Sequence, residues 1–125
     1  MESNRRPNFT DWNVNIGGMT MATLDSATHR APVDVGGTSV LIAPANPARV
    51  FCAVAVADPI TDGKALFISL GATAVADKGY PITARGGYWD CSLMQGNNWT
   101  GAIYAIYTGT GTIKALVTEG IINAS

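Results

Sequence analysis

Short apolar segments recur along this chain at roughly 8–12-residue spacing, each closed by glycine, proline or asparagine. That rhythm constrains the fold more than any other feature of the sequence. Thr38–Ala43 is closed by Pro44 and Pro47, and Ala48–Ala57 runs up to Asp58-Pro59. Ala65–Leu70, Tyr80–Ala84 and Tyr88–Leu93 follow, separated by Gly71, Gly79 and Gly86-Gly87. Gly96-Asn97-Asn98 precedes Thr100–Tyr107, and Gly109-Thr110-Gly111 leads into Thr112–Glu119. Within these segments apolar residues alternate with period 2, as in Leu66, Ile68 and Leu70 or Ile113, Ala115 and Val117. No segment holds a 3.6-residue period for long. Ser69–Asp77 has Ala72, Ala74 and Ala76, but Gly71 and Gly79 bracket it too closely for a helix. The pattern predicts an all-β domain, an antiparallel sandwich or barrel of about seven strands. Gly109-Thr110-Gly111 reads as a tight hairpin link joining Thr100–Tyr107 to Thr112–Glu119.

Two segments are apolar on both faces. Ala48–Ala57 sets Val50, Cys52, Val54 and Val56 against Phe51 and alanines. Thr100–Tyr107 sets Tyr104 and Ile106 against Ile103, Ala105 and Tyr107. Strands of this kind need cover on each side, and a sister subunit can supply one of the covers. Val54, Val56, Tyr104 and Ile106 are therefore the expected subunit-interface residues.

Residues 1–32 differ from the remainder, 33–125, which forms the β-domain. They hold six of the seventeen charges and three of the four methionines, with polar residues scattered between single large apolar ones. This is the pattern of an extended arm. Phe9, Trp12, Val14, Ile16, Met19, Met21 and Leu24 are too many for a solvated tail. The expectation is an arm that docks on its own domain, a sister subunit or a larger assembly, with Phe9, Trp12, Ile16 and Met21 as its contacts.

At 125 residues the chain has room for one domain. Eight Lys+Arg against nine Asp+Glu leave no basic excess to hold a phosphate backbone, so nucleic acid is not an expected partner. No apolar run reaches the roughly 18 residues of a membrane helix, and no apolar stretch follows the basic pair Arg5-Arg6, so neither membrane nor signal peptide is expected. A charged fraction of 14% is low beside the roughly 25% of an average domain. Such a surface points to protein–protein contact. Cys52 and Cys91 are too few for a zinc site or a disulfide framework. A disulfide between them is open, but the expectation is two buried reduced thiols in a chain folded in a reducing cytoplasm.

Residues suited to chemistry are sparse. His29 is the single histidine and lies in the arm without a recognisable nucleophile beside it. Asp58 and Asp62 flank Pro59 and Gly63, where aspartate serves turns, and Asp90 stands in a strand. A small carbohydrate-active enzyme using Asp58, Asp62 or Asp90 is the catalytic alternative. The reading adopted is non-enzymatic, with no metal and no cofactor. Tyr80, Tyr88, Trp89, Trp99, Tyr104 and Tyr107 offer either packing or a sugar platform, with Trp99, beside Asn97-Asn98, the most exposed.

The order of motifs from residue 40 to 120 carries a resemblance. Asn46–Arg49 opens as N-x-x-R, and Phe67–Val75 reads FISLGATAV. Then come Lys78–Ile82 (KGYPI), Ala84–Trp89 (ARGGYW), Thr100–Ile106 (TGAIYAI) and Val117–Gly120 (VTEG). This order resembles small β-domains of virion proteins of tailed bacteriophages. The resemblance implies a structural protein of the phage virion, made in the host cytoplasm. Its implied form is a capsid decoration (cement) protein that binds the major capsid protein on the head exterior as a homotrimer. The alternative it implies is a tail- or fibre-associated module binding host surface glycan through Trp99 and Tyr88.

Overall fold

The computed structural model describes residues 26–121. They form nine strands and no helix. The strands are β1 (Ser26–His29), β2 (Val33–Val35), β3 (Val40–Ala43), β4 (Arg49–Val56), β5 (Leu66–Leu70), β6 (Tyr80–Ile82), β7 (Tyr88–Ser92), β8 (Ile103–Tyr107) and β9 (Ile113–Ile121). One sheet runs β1-β9-β4-β7, with β2 following β1 along β9, and the other runs β3-β8-β5-β6. All pairings are antiparallel. Of the antiparallel sandwich or barrel of about seven strands expected from the period-2 pattern, the sandwich is the fold observed, with nine strands; the two not expected are β1 and β2. Phe9, Trp12, Ile16 and Met21 lie outside the described residues, whereas Ser26–His29, at the end of the expected arm, pairs along β9.

Alternation decides which side chains fill the space between the sheets. Cys52, Val54 and Val56 of β4 and Ile113, Ala115 and Val117 of β9 point inward from one sheet. Ile42, Leu66, Ile68, Ile103, Ala105 and Tyr107 meet them from the other. Val54 and Val56 are thus core residues, 0% and 1% exposed. They cannot meet a sister subunit without opening the sandwich, and the expectation that placed them at a subunit interface is corrected. The period-2 pattern marks two apolar faces on β4 but does not say which one the opposing sheet covers.

The expected hairpin is corrected as well. β8 and β9 belong to different sheets, so the Thr108–Thr112 link arches across the end of the sandwich. Thr108 fixes the start of that arch: its N–H donates to the Ala65 carbonyl at 3.0 Å and its hydroxyl accepts from the Ala65 N–H at 3.0 Å. Only the β1–β2 and β5–β6 connections stay within one sheet. The β5–β6 turn depends on two glycines in the left-handed region, Gly71 (φ 79°) and Gly79 (φ 93°). At Gly79 a Cβ would run into the Ile68 carbonyl.

Cys52 stands opposite Cys91 in the β4–β7 register, with Cα atoms 5.0 Å apart. Both are fully buried and joined as a disulfide. The expectation of two reduced thiols is corrected, and a reducing compartment no longer follows from the cysteines. Spacing along the chain could not reveal the pairing, because it arises from strand register.

Two stability predictions follow from this core. Ile103→Ala, at a fully buried aliphatic position, should cost about 2–5 kcal/mol in urea unfolding at an unchanged m-value. The disulfide closes a separation of 39 residues, which in the chain-entropy model contributes about 4 kcal/mol. Thiol titration of the denatured, unreduced protein should find no free thiol, and reductant should lower the urea midpoint.

Candidate interaction surface

The deepest polar feature is a cluster at one end of the sandwich. Arg49 begins β4, where a bulge between Arg49 and Phe51 shifts the register against β9 and turns the side chain inward. The guanidinium is fully buried. Its Nη1 donates to the carbonyls of Trp99 and Gly101 at 2.8 and 2.9 Å, and its Nη2 to that of Pro44 at 2.8 Å. Its Nε donates to Glu119 Oε1 at 3.4 Å. The Glu119 carboxylate also accepts from Asn46 at 3.0 Å and from Arg30 at 3.2 Å. Asn98 closes the group by donating to the Arg49 carbonyl at 2.8 Å. Four separate stretches of chain, at Arg30, Pro44–Arg49, Asn98–Gly101 and Glu119, are thereby pinned together. The cluster satisfies its own polar groups and is structural.

Its components are pieces of the motifs noted in the sequence: Asn46–Arg49, the Thr100-Gly101 start and Val117–Gly120 converge here. The expected site residues did not include Arg49 or Glu119. A signal was present, since Glu119 continues the inward parity of Ile113, Ala115 and Val117, and a charge on that parity requires a buried partner.

The residues singled out for chemistry are dispersed. His29 is exposed and bonds through Nδ1 to Thr118 Oγ1 at 2.8 Å. The Asp58 carboxylate accepts the Lys114 backbone N–H at 2.8 Å. Asp62 is exposed in the turn closed by the Lys64 N–H to Thr61 carbonyl bond, and Asp90 pairs with Ala53 across β4–β7. Lys114 meets Asp34 at 2.7 Å, and this hydrogen bond and charge hold its ammonium above the ordinary value. The pair is open to solvent and contributes little to stability. Among the described residues, no three His, Cys, Asp or Glu side chains gather in a way that could hold a metal ion.

Trp99 does not stand free in its turn. Its indole N–H donates to the Ala102 carbonyl at 3.0 Å. Its ring lies so close to Gly71 and Gly101 that an added Cβ would stand 2.9 and 2.7 Å from it. The expectation of an exposed Trp99 is corrected, and a glycan platform built on it loses its central ring. Tyr88 is exposed, while Tyr80 packs against Trp89 with ring centroids 5.3 Å apart.

What remains is the outer face of the β3-β8-β5-β6 sheet. Tyr104 and Ile106 alternate outward with the buried Ile103, Ala105 and Tyr107. Leu41 and Ser69 flank Tyr104 in register, and Phe67 stands opposite both Ile106 and Pro81. None of these side chains is charged, and Leu41 is 44% exposed. The outer face of the other sheet carries Lys114, Asp34, His29 and Asp90. That face also carries Phe51, Ala53, Ala55, Leu116 and the exposed Tyr88, so the two faces differ in charge: one is uncharged, the other mixes apolar groups with charged ones. Of the four expected interface residues, Tyr104 and Ile106 lie on the apolar face.

Compared with known proteins, the chain matches no family model, no curated protein and no solved structure.

Removing the buried guanidinium should be costly. Arg49→Ala removes one of Glu119's three side-chain donors and leaves the Pro44, Trp99 and Gly101 carbonyls without the guanidinium, and stability should fall by about 3–5 kcal/mol in denaturant unfolding. Arg49→Lys should recover little of this, because an ammonium cannot span the same fork of acceptors.

Proposed function

We propose that the chain is a non-enzymatic structural protein of a tailed-phage virion, a decoration (cement) protein that binds the head exterior as a homotrimer. The observation that carries this reading is the uncharged outer face of the β3-β8-β5-β6 sheet. A face on which Leu41 is exposed and Phe67, Tyr104 and Ile106 are half-buried, with no charge among them, suits a protein whose working state is an assembly. The motif order from Asn46 to Gly120 supports the placement in a virion.

The mechanism is mechanical. Sister subunits meet through the apolar faces around Tyr104 and Ile106, while the charged groups of the other sheet stay in water. A trimer that bridges neighbouring capsomers ties them together by several modest contacts at once, and simultaneous engagement multiplies their strength. Such a clamp resists outward pressure from packaged DNA. The motif order alone speaks for this shell partner.

Two measurements test the reading. Purified heads lacking decoration, incubated with the protein and imaged by electron microscopy, should show regular density at symmetry-related sites; bare heads would overturn the capsid role. Ile106→Asp should weaken the trimer by about 2 kcal/mol or more per contact in sedimentation equilibrium, with the native β-sheet spectrum retained.

A further inference from the structure

The two lateral sides of the sandwich end differently. On one, β1 and β3 bound a groove of about 540 Å³, lined in part by Thr28, His29, Arg30, Val33 and Leu41. On the other, β6 and β7 are the outermost strands, and Tyr80 of β6 packs on Trp89 of β7. An outermost strand presents a row of main-chain N–H and C=O groups to which a strand of another molecule can bond. Main-chain groups alternate sides along a strand. The Leu93 N–H donates to the Val50 carbonyl at 2.9 Å, so the odd-numbered residues of β7 face β4. The groups of Tyr88, Asp90 and Ser92 therefore form the outward row.

Asn97 occupies that row. Its Oδ1 accepts the Ser92 N–H at 2.9 Å, and its Nδ2 donates to the Asp90 carbonyl at 3.1 Å. One carboxamide thus makes both bonds that an added strand would make at this position. The turn that carries it is fixed in place. The Gly96 N–H donates to the Leu93 carbonyl at 3.2 Å and the Gln95 N–H to Ser92 Oγ at 3.0 Å. Asn98, next along the chain, is tied to the Arg49 carbonyl. On β6 the means differ. Pro81 stands opposite Phe67 of β5. The Thr108 N–H donates to the Ala65 carbonyl and the Gly71 N–H to the Ala102 carbonyl, so the odd-numbered residues of β5 turn their main-chain groups toward β8. The main chain of Pro81, opposite Phe67, then points away from β5 to the open side, where proline has no N–H to offer.

We infer that Asn97 and Pro81 together close the β6/β7 side of the domain to strand addition by a second copy of this chain. Asn97 takes the place of a partner strand's peptide, and Pro81 withholds a donor. Both residues are exposed and neither fills the core, so their contribution lies at the edge. The Cys52–Cys91 disulfide ties β7 to β4, so removing the carboxamide bares the edge without releasing the strand. The inference does not depend on the virion reading, because it concerns only which side of the domain two copies cannot share.

The test uses the full chain with Asn97→Ala, with Pro81→Thr and with both. Amide exchange followed by NMR should find the Ser92 N–H protected in the wild type, and in dilute Asn97→Ala its exchange should accelerate about tenfold or more. At high concentration the double variant should associate beyond the wild type in sedimentation velocity, with the Asp90 and Ser92 amides becoming protected. Where Pro81→Thr disturbs the circular dichroism, Asn97→Ala alone is read in the same way. Asn97→Asp keeps an acceptor for the Ser92 N–H and sets a charge on the edge, so it should stay at the wild type's size. An unprotected Ser92 amide in the wild type would overturn the inference. So would bared-edge variants that keep the wild type's size, association that leaves the Asp90 and Ser92 amides exchanging freely, or Asn97→Asp associating as strongly as Asn97→Ala.

Discussion

The buried guanidinium of Arg49 holds the ends of this sandwich together. Taking an arginine out of water costs several kcal/mol unless its donors are met. Here Trp99, Gly101, Pro44 and Glu119 meet them. None of these acceptors lies on β4 itself: Pro44 is in the β3–β4 connection, Trp99 and Gly101 in the β7–β8 connection and Glu119 on β9. The connections from β3 to β4 and from β7 to β8 are thereby locked to the last strand. Arg30 and Asn46 complete the carboxylate's partners, so the path from β1 into β2 is held by the same charge. A hydrophobic plug could fill the volume, but it could not hold three backbone carbonyls in fixed directions.

With that end secured, the sandwich presents two faces that differ in charge. The Lys114–Asp34 pair and Asp90 break up the apolar surface of Phe51, Ala53, Ala55 and Leu116 on one face. Tyr104, Ile106, Phe67 and Leu41 mark the second, which gains by being covered. The groove between β1 and β3 adjoins the second face, because Leu41 belongs to both.

Much of this architecture was legible in the sequence, and the losses have specific causes. Period-2 alternation located the strands because each has a core side to satisfy. It could not distribute strands between sheets, so Thr112–Glu119 looked like the hairpin partner of Thr100–Tyr107 when it lies across the core from it. The same ambiguity assigned Val54 and Val56 to a subunit contact, since a strand apolar on both faces does not say which face is inside. The Cys52–Cys91 bond and the Arg49–Glu119 pair join residues far apart in the chain, so they depend on register that local pattern does not carry. Tyr104 and Ile106 fell on the outward parity because their neighbours Ile103, Ala105 and Tyr107 fill the core.

The position of β9 has a consequence for how the protein is made. The last described strand is not an edge: it lies between β1–β2 and β4, in the middle of its sheet. Until it leaves the ribosome, the first strands have nothing to pair with, and Arg49 lacks its carboxylate. The domain therefore closes only after nearly all of it has been synthesised, and its rate is governed by distant rather than neighbouring contacts. During that interval the apolar segments of β4, β5 and β8 stay uncovered, the stage at which the chain is most exposed to wrong partners.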